Sequence, residues 1–200
     1  MSSHHIVRDE QEPAILITEV KKQYWPGIEQ LLGWIPTVIV DENCVNDVLL
    51  RGFKIDIVIC QEQNLTALKE LLQDQQPIKF LLKEKGDIVE VTVKYLDSRG
   101  YKGVNIFGGF DPTKSLSINR QITAIWYDAE YRYVLSKKTI FQKWMTANNM
   151  FCLKKTESNQ SFNIENADKV DNANVYRCSS DGKVKILSES DFWLGEELRQ

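Results

Sequence analysis

Through about residue 125 the chain alternates short, continuously apolar runs with segments of helical period, and few folds accommodate that alternation. Residues 14–18, 37–40, 55–60, 78–82 and 104–107 are strand-sized runs rich in Ile, Val and Leu. Strands buried on both faces read this way, because neither face meets water. Between them lie a helical stretch ending in Gln30-Leu31-Leu32-Gly33-Trp34 and a second over 43–51, with Val45, Val48 and Leu49 on one face and Gly52 as its stop. A third carries Leu65, Leu68, Leu71 and Leu72; a fourth, over 88–97, is helical by context although its Val-Glu-Val-Thr-Val core prefers strand, and ends at Gly100. Strand–helix alternation with short turns predicts an α/β fold, a Rossmann-like, mainly parallel sheet flanked by helices. Ligands of such sheets bind beyond the carboxyl ends of the strands. That directs attention to loops 19–23, 41–43, 61–64, 83–87 and 108–113.

From Trp126 the period changes. Residues 131–135 and 138–141 read as strands joined by Ser136-Lys137, and further short strands are expected at 150–154, 175–178 and 184–187. Residues 159–174 hold five Asn and read as loops and edge strands. We therefore expect an α/β domain over 1–125 and a separate small β-sandwich domain over 126–200.

Charge narrows the function classes. Twenty-five basic residues are scattered among 28 acidic ones for a net charge of −3, the reverse of a nucleic-acid-binding surface. No apolar run is long enough to cross a membrane, and Met1-Ser2-Ser3-His4-His5 lacks a basic-then-apolar leader pattern. Cys44, Cys60, Cys152 and Cys178 have no metal-ligand spacing and read as reduced thiols of a cytoplasmic protein. His4 and His5 lie too near the start of the sequence to serve as a general base. No Gly-Lys-Ser/Thr phosphate loop and no Gly-x-Gly-x-x-Gly occurs; Gly108-Gly109 after a strand could admit a phosphate but fits a tight turn better. Trp34, Trp126, Trp144 and Trp193 read as core or interface anchors.

Several segments carry a resemblance to a known family: 2–9, Gln30-Leu31-Leu32-Gly33-Trp34, 36–40, 52–58 and the helix–strand segment 95–107. Together they resemble thiamine pyrophosphokinases of the bacterial type over some two-thirds of the chain, fading beyond about residue 140. The resemblance implies a Rossmann-like domain followed by a β-sandwich, a homodimer, ATP and Mg²⁺ at the strand ends, and thiamine between the α/β part of one subunit and the β part of the other.

The family's functional motifs are altered. Its Asp-Gly after the second strand reads Glu42-Asn43, and its Gly-Asp-x-Asp-Ser after the third reads Cys60-Gln61-Glu62-Gln63-Asn64, so that Gln61 and Gln63 stand in place of both aspartates. Its Thr-Asp reads Asp87-Ile88. Its Gly-Arg-x-x-Asp-His gives way to Gly109-Phe110-Asp111-Pro112-Thr113-Lys114, with Ser115 at an acidic position and Asn119 surviving nearby. The Gly-Ser-Ser-Asn of the thiamine pocket leaves Ser179-Ser180. Amides are poor Mg²⁺ ligands, and the ions carry most of the charge stabilisation in phosphoryl transfer. The resulting expectation is a thiamine pyrophosphokinase-like protein without catalysis, in a binding, regulatory or assembly role, with no cofactor of its own. Mg²⁺ and ATP would enter only if the family activity survives. Two other readings remain open. In one, an active enzyme rebuilds its metal site from Asp41, Glu42, Glu62, Asp87 and Asp111. In the other, Phe107, Phe110 and Tyr24 fill the strand-end crevice and leave no small ligand.

Overall fold

A computed structural model describes residues 12–83, 87–112, 122–137, 140–170 and 174–198. The first five expected strands all form: β1 (Ala14–Ile17), β2 (Val38–Asp41), β3 (Ile57–Cys60), β4 (Lys79–Leu82) and β5 (Gly103–Phe107). They run parallel in the order β4-β3-β2-β1-β5, and β6 (Thr123–Tyr127) joins β5, also parallel. Alternate side chains leave opposite faces. Ala14 and Leu16 enter one core with Val89, Val93 and Leu96 of α4 (Ile88–Ser98). Ile15 and Ile17 enter another, beneath α1 (Trp25–Leu32), α2 (Val45–Leu50) and α3 (Leu65–Leu71). No helix among the described residues is long and apolar enough to cross a membrane.

The Val-Glu-Val-Thr-Val segment is helical because tertiary demand outweighs its β-propensity. Parallel strands β4 and β5 need a crossover, and Val89, Val93 and Leu96 fall on one stripe at helical spacing. Asp87 Oδ1 accepts the Val89 N–H at 2.9 Å and caps the first turn, while the Thr92 hydroxyl donates to the Ile88 carbonyl at 2.8 Å.

Beyond residue 126 the strands are β7 (Tyr131–Ser136), β8 (Ile140–Met145), β9 (Met150–Lys155), β10 (Phe162–Glu165), β11 (Ala167–Lys169), β12 (Val175–Cys178), β13 (Gly182–Ser188) and β14 (Phe192–Glu197). The Asn-rich segment supplies β10 and β11, which lie at sheet edges as expected. The start of β8 expected at Lys138 lies outside the described residues. The sequence reading did not expect β6 or β14, and the β-rich part has one sheet of its own while its other strands extend the sheet of the first half. Residue 125 lies inside β6, which pairs parallel with β5 on one side and antiparallel with β7 on the other. One eleven-stranded sheet therefore continues through β7, β14, β9, β12 and β11. The change of period at Trp126 marks a reversal of strand direction within a sheet. A second, three-stranded sheet, β10-β13-β8, packs over its far end, so β7 and β8, consecutive in sequence, enter different layers. Phe151, Leu153, Tyr176 and Leu194 from one layer and Val184 and Ile186 from the other make the sandwich core.

Gly195 in β14 is required by close approach. A Cβ there would lie 2.5 Å from Cys152 Sγ and 2.6 Å from the Tyr133 ring, whereas one on Gly109 meets nothing within 4 Å. Gly195→Ala should lower unfolding free energy by about 1–3 kcal/mol through overpacking, with Gly109→Ala within about 0.5 kcal/mol of wild type, both read from urea unfolding midpoints.

Candidate functional site

The chain builds β2, β3 and β4 outward on one side of β1, then returns to lay β5 on its other side. This reversal is where an open parallel sheet ordinarily leaves a ligand crevice, at the carboxyl ends of β1 and β5. Here the ends of the two strands are tied together. The Phe107 carbonyl accepts the Thr18 N–H at 2.9 Å, the Glu19 N–H at 3.3 Å and the Thr18 hydroxyl at 3.1 Å. Gly108, at φ +155°, donates its N–H to the Tyr127 carbonyl at 3.2 Å, and a Cβ on it would lie 1.8 Å from Thr18 Oγ1. The glycine is thus required by Thr18, and the tight-turn reading of Gly108 fits this geometry. The Phe107 ring stacks on Tyr127 at 4.4 Å between centroids and meets Tyr24 edge-on at 5.8 Å. On the opposite face Phe110 stacks on Tyr133 at 4.0 Å and abuts Trp193 and Trp126, while the Trp193 indole N–H donates to the Pro112 carbonyl at 3.1 Å. Phe107, Phe110 and Tyr24 all fill space at these strand ends.

The ends of β2, β3 and β4 carry the positions that the resemblance singles out. Asp41, 5% exposed, uses Oδ1 to accept from the Asn43 N–H at 2.8 Å and its amide at 2.7 Å; its Oδ2 faces Lys83 Nζ at 3.5 Å. Glu42 Oε2 accepts the Gln61 N–H at 3.0 Å and the Asn64 amide at 2.9 Å, tying β2 to the 3₁₀ turn after β3. Gln63 donates its amide to Gln61 Oε1 at 2.9 Å. Glu62 is exposed on that turn, Asp87 caps α4, and Asp111 is half-buried and not free. Ile88 packs against the α4-side core. Ser115 and Asn119 lie outside the described residues.

Ser179 and Ser180 sit elsewhere. Ser179 donates to Asp168 Oδ2 at 2.8 Å and Ser180 to Asn166 Oδ1 at 2.7 Å, knitting the turn after β12 to its neighbour β11. Five strand positions separate β12 from β5, roughly 24 Å at ordinary strand spacing. One chain therefore does not bring these serines to the strand ends of β1–β5.

The rebuilt-site carboxylates are distributed rather than gathered: among the described residues no three His, Cys, Asp or Glu side chains form a group able to hold a metal. Asp41 has an ammonium as its counter-charge, and Glu42 Oε2 accepts from two amide donors. A hard divalent ion selects several converging carboxylate or phosphate oxygens, and the described residues do not fit one. Lys83 as partner of Asp41, and Tyr127, Tyr133 and Trp193 as stacking surfaces, were not legible in the sequence, since each meets its partner only across the sheet. Gly195, a glycine directly after Phe192-Trp193-Leu194, is a signal of close approach that the sequence offers.

All four cysteines are buried and unpaired. Burial pushes the Cys44 thiol from its ordinary 9.0 up to about 12, with the Asp41, Asp47 and Glu19 charges adding to it. Burial likewise raises Cys60, Cys152 and Cys178. None is placed as an activated nucleophile.

No protein-family model matches this sequence, and no curated protein does. Solved structures match its fold along nearly the whole length. Thiamine pyrophosphokinase from Bacillus subtilis superposes with a TM-score of 0.65 at 6% identity, covering 94% of this chain and 100% of that one. Thiamin pyrophosphokinase from Geobacillus thermodenitrificans gives 0.67 at 9% identity, covering 94% and 98%. The Candida albicans thiamin pyrophosphokinase gives 0.63 at 10% identity, covering 96% and 90%. The chain has the fold of these proteins.

Two measurements test the site as described. Asp41→Ala strips Lys83 of its counter-charge and the 41–43 turn of its acceptor, and should cost roughly 1–3 kcal/mol in denaturant unfolding. Second, the thiols should resist a disulfide reagent at pH 8 in the folded chain and react on unfolding. Because the folded Cys44 value lies above the unfolded one, its share of stability is complete below about pH 9 and is lost as pH rises toward 12. Melting temperature should accordingly decline above pH 9.

Proposed function

We propose that this chain is a thiamine pyrophosphokinase-fold protein that does not transfer diphosphate, and that it serves an assembly or regulatory role as a homodimer. One observation carries the reading: where the strand order reverses, the Phe107 carbonyl takes three donors from Thr18 and Glu19, and Tyr24, Phe107 and Tyr127 pack together as core. Where the resemblance would place metal-binding aspartates, Gln61 and Gln63 bond to each other. An amide dipole supplies no net charge to balance a divalent ion, and losing one such transition-state stabiliser typically lowers rate by about 10²-fold or more. Effects within one site are not additive, so no sum is taken. Four unpaired thiols fit the reducing cytoplasm. Self-association fits the exposure of Trp34 and Trp144, which stand out at 68% and 66% while Trp126 and Trp193 are core.

Purified chain incubated with ATP, Mg²⁺ and thiamine should release no AMP. Calorimetric titration with ATP, thiamine or thiamine diphosphate, with and without Mg²⁺, should give no heat of binding. Gln61→Asp with Gln63→Asp should not restore turnover, because the 87–88 and 109–115 positions are altered too. Steady AMP release dependent on thiamine and Mg²⁺ would overturn the reading and turn attention to Glu42, Glu62, Asp87 and Asp111.

A further inference from the structure

β10 and β11 are the edge strands of the two sandwich layers, and the chain passes from one to the other at Asn166. Asn166 makes the turn at φ +64°; its amide donates to the Ser180 carbonyl at 3.0 Å and its Oδ1 accepts the Ser180 hydroxyl at 2.7 Å. A cleft of about 390 Å³ lies between the two layers at this side. Its other end is bounded where the chain crosses from β9 to β10, and Gln160 fixes that crossing. Gln160 is buried; its Oε1 accepts the Thr156 N–H at 2.9 Å and its amide donates to Ser188 Oγ at 2.6 Å and to the Asp191 carbonyl at 2.9 Å. Its polar atoms are spent on the chain, so it shapes the wall.

Two lysines enter the cleft from the inner face of the larger sheet. Lys155 follows Phe151 and Leu153 at strand period on β9, and Lys169 stands opposite Tyr176 in the β11–β12 register. Phe151, Leu153 and Tyr176 are all sandwich core, which sets the face. Neither ammonium has an ion-pair partner among the described residues, whereas the nearby Lys185 pairs with Glu165. Tyr176 stacks its ring on Phe151 at 5.5 Å, and its hydroxyl makes no hydrogen bond to the described residues. Burial raises the pKa of that phenol, so it stays a donor. Phe162, Ile164 and Ala167 supply apolar wall, and no described residue lining the cleft is acidic.

We propose that this cleft binds a phosphate monoester of a small, uncharged apolar or aromatic body, with Lys155, Lys169 and the Tyr176 hydroxyl on the phosphate and Phe162 and Ile164 against the body. An inward charge on an edge strand ordinarily deters pairing with another sheet. That role asks for one charge at an edge, and Lys155 is on β9, an interior strand. Here two ammoniums from different strands, a phenol donor and apolar wall line one space. A phosphate monoester carries close to two negative charges at neutral pH and accepts several hydrogen bonds, which matches a donor set with no acid in it. A ligand with a cationic body would meet two like charges. Thiamine diphosphate, whose body is cationic, and ATP, whose body is large and polar, both fall outside this class.

The cleft lies apart from the strand ends of β1–β5, so its failure leaves the proposed function standing. Isothermal titration of the full chain with phenyl phosphate should show saturable binding of one molecule per chain, weakened by added salt. Inorganic phosphate, which lacks the body, phenol, which lacks the charge, and benzoate, with a single charge, should each bind about 10-fold or more weakly than phenyl phosphate. Lys155→Met and Lys169→Met should each weaken phenyl phosphate about 10-fold or more, while Lys94→Met, on the exposed face of α4, should leave it unchanged. Tyr176→Phe alters only the hydroxyl and should weaken it about 5-fold, which keeps the test decisive if a lysine variant misfolds. No saturable binding to wild type, affinity unchanged in Tyr176→Phe or in folded lysine variants, or equal binding of any of the three simpler probes would overturn the proposal.

Discussion

The contact between Thr18 and Gly108 is so close that no side chain fits on the glycine, with 1.8 Å left between its missing Cβ and the threonine oxygen. Much of the structure depends on that approach. It joins the end of β1 to the end of β5 at the one place where the sheet reverses its order of construction, through three donors to the Phe107 carbonyl. It holds the Phe107 ring beneath Tyr24 and against Tyr127, and Tyr127 ends β6, the strand from which the antiparallel half departs. The aromatic side chains at this point pack into the core beneath the helices.

Polar groups at the neighbouring strand ends follow the same inward logic. Asp41 faces Lys83, Glu42 Oε2 accepts from Gln61 and Asn64, and Gln63 donates to Gln61. Buried or half-buried carboxylates need partners wherever they lie, and these find them within the chain. A fold can outlast a site because apolar strands and helix stripes hold it together independently of the loops. The architecture that this chain shares with solved thiamine pyrophosphokinases at 6–10% identity rests on the same apolar strands and stripes.

The regions where local pattern and tertiary role agree were legible. Runs such as 14–18 and 55–60 can be buried only on both faces, and they are the central strands β1 and β3. The 88–98 helix was readable only because its neighbours demanded a crossover; its own residues argued for strand. Residue 126 was recognised as a change of period, but period does not tell whether a sheet stops or reverses direction, and here it reverses within β6. Gln61 and Gln63 are legible as residue types, whereas their mutual hydrogen bond is not.

Taken alone, the sequence shows most of the strands and helices and which faces are apolar, though not β6 or β14, and it shows neutral amides at Gln61 and Gln63, where the resemblance implies metal-binding aspartates. Those properties are local: side-chain period, propensity and ionisation belong to a few adjacent residues. Only the tertiary structure decided that Lys83 reaches Asp41 over 42 residues, that Phe110 stacks on Tyr133, that Ser179 and Ser180 lie strands away from β5, and that β8 keeps a free edge. These pairings depend on strand order. Strand order follows from how the whole set of apolar faces is buried at once, and no window of sequence contains it.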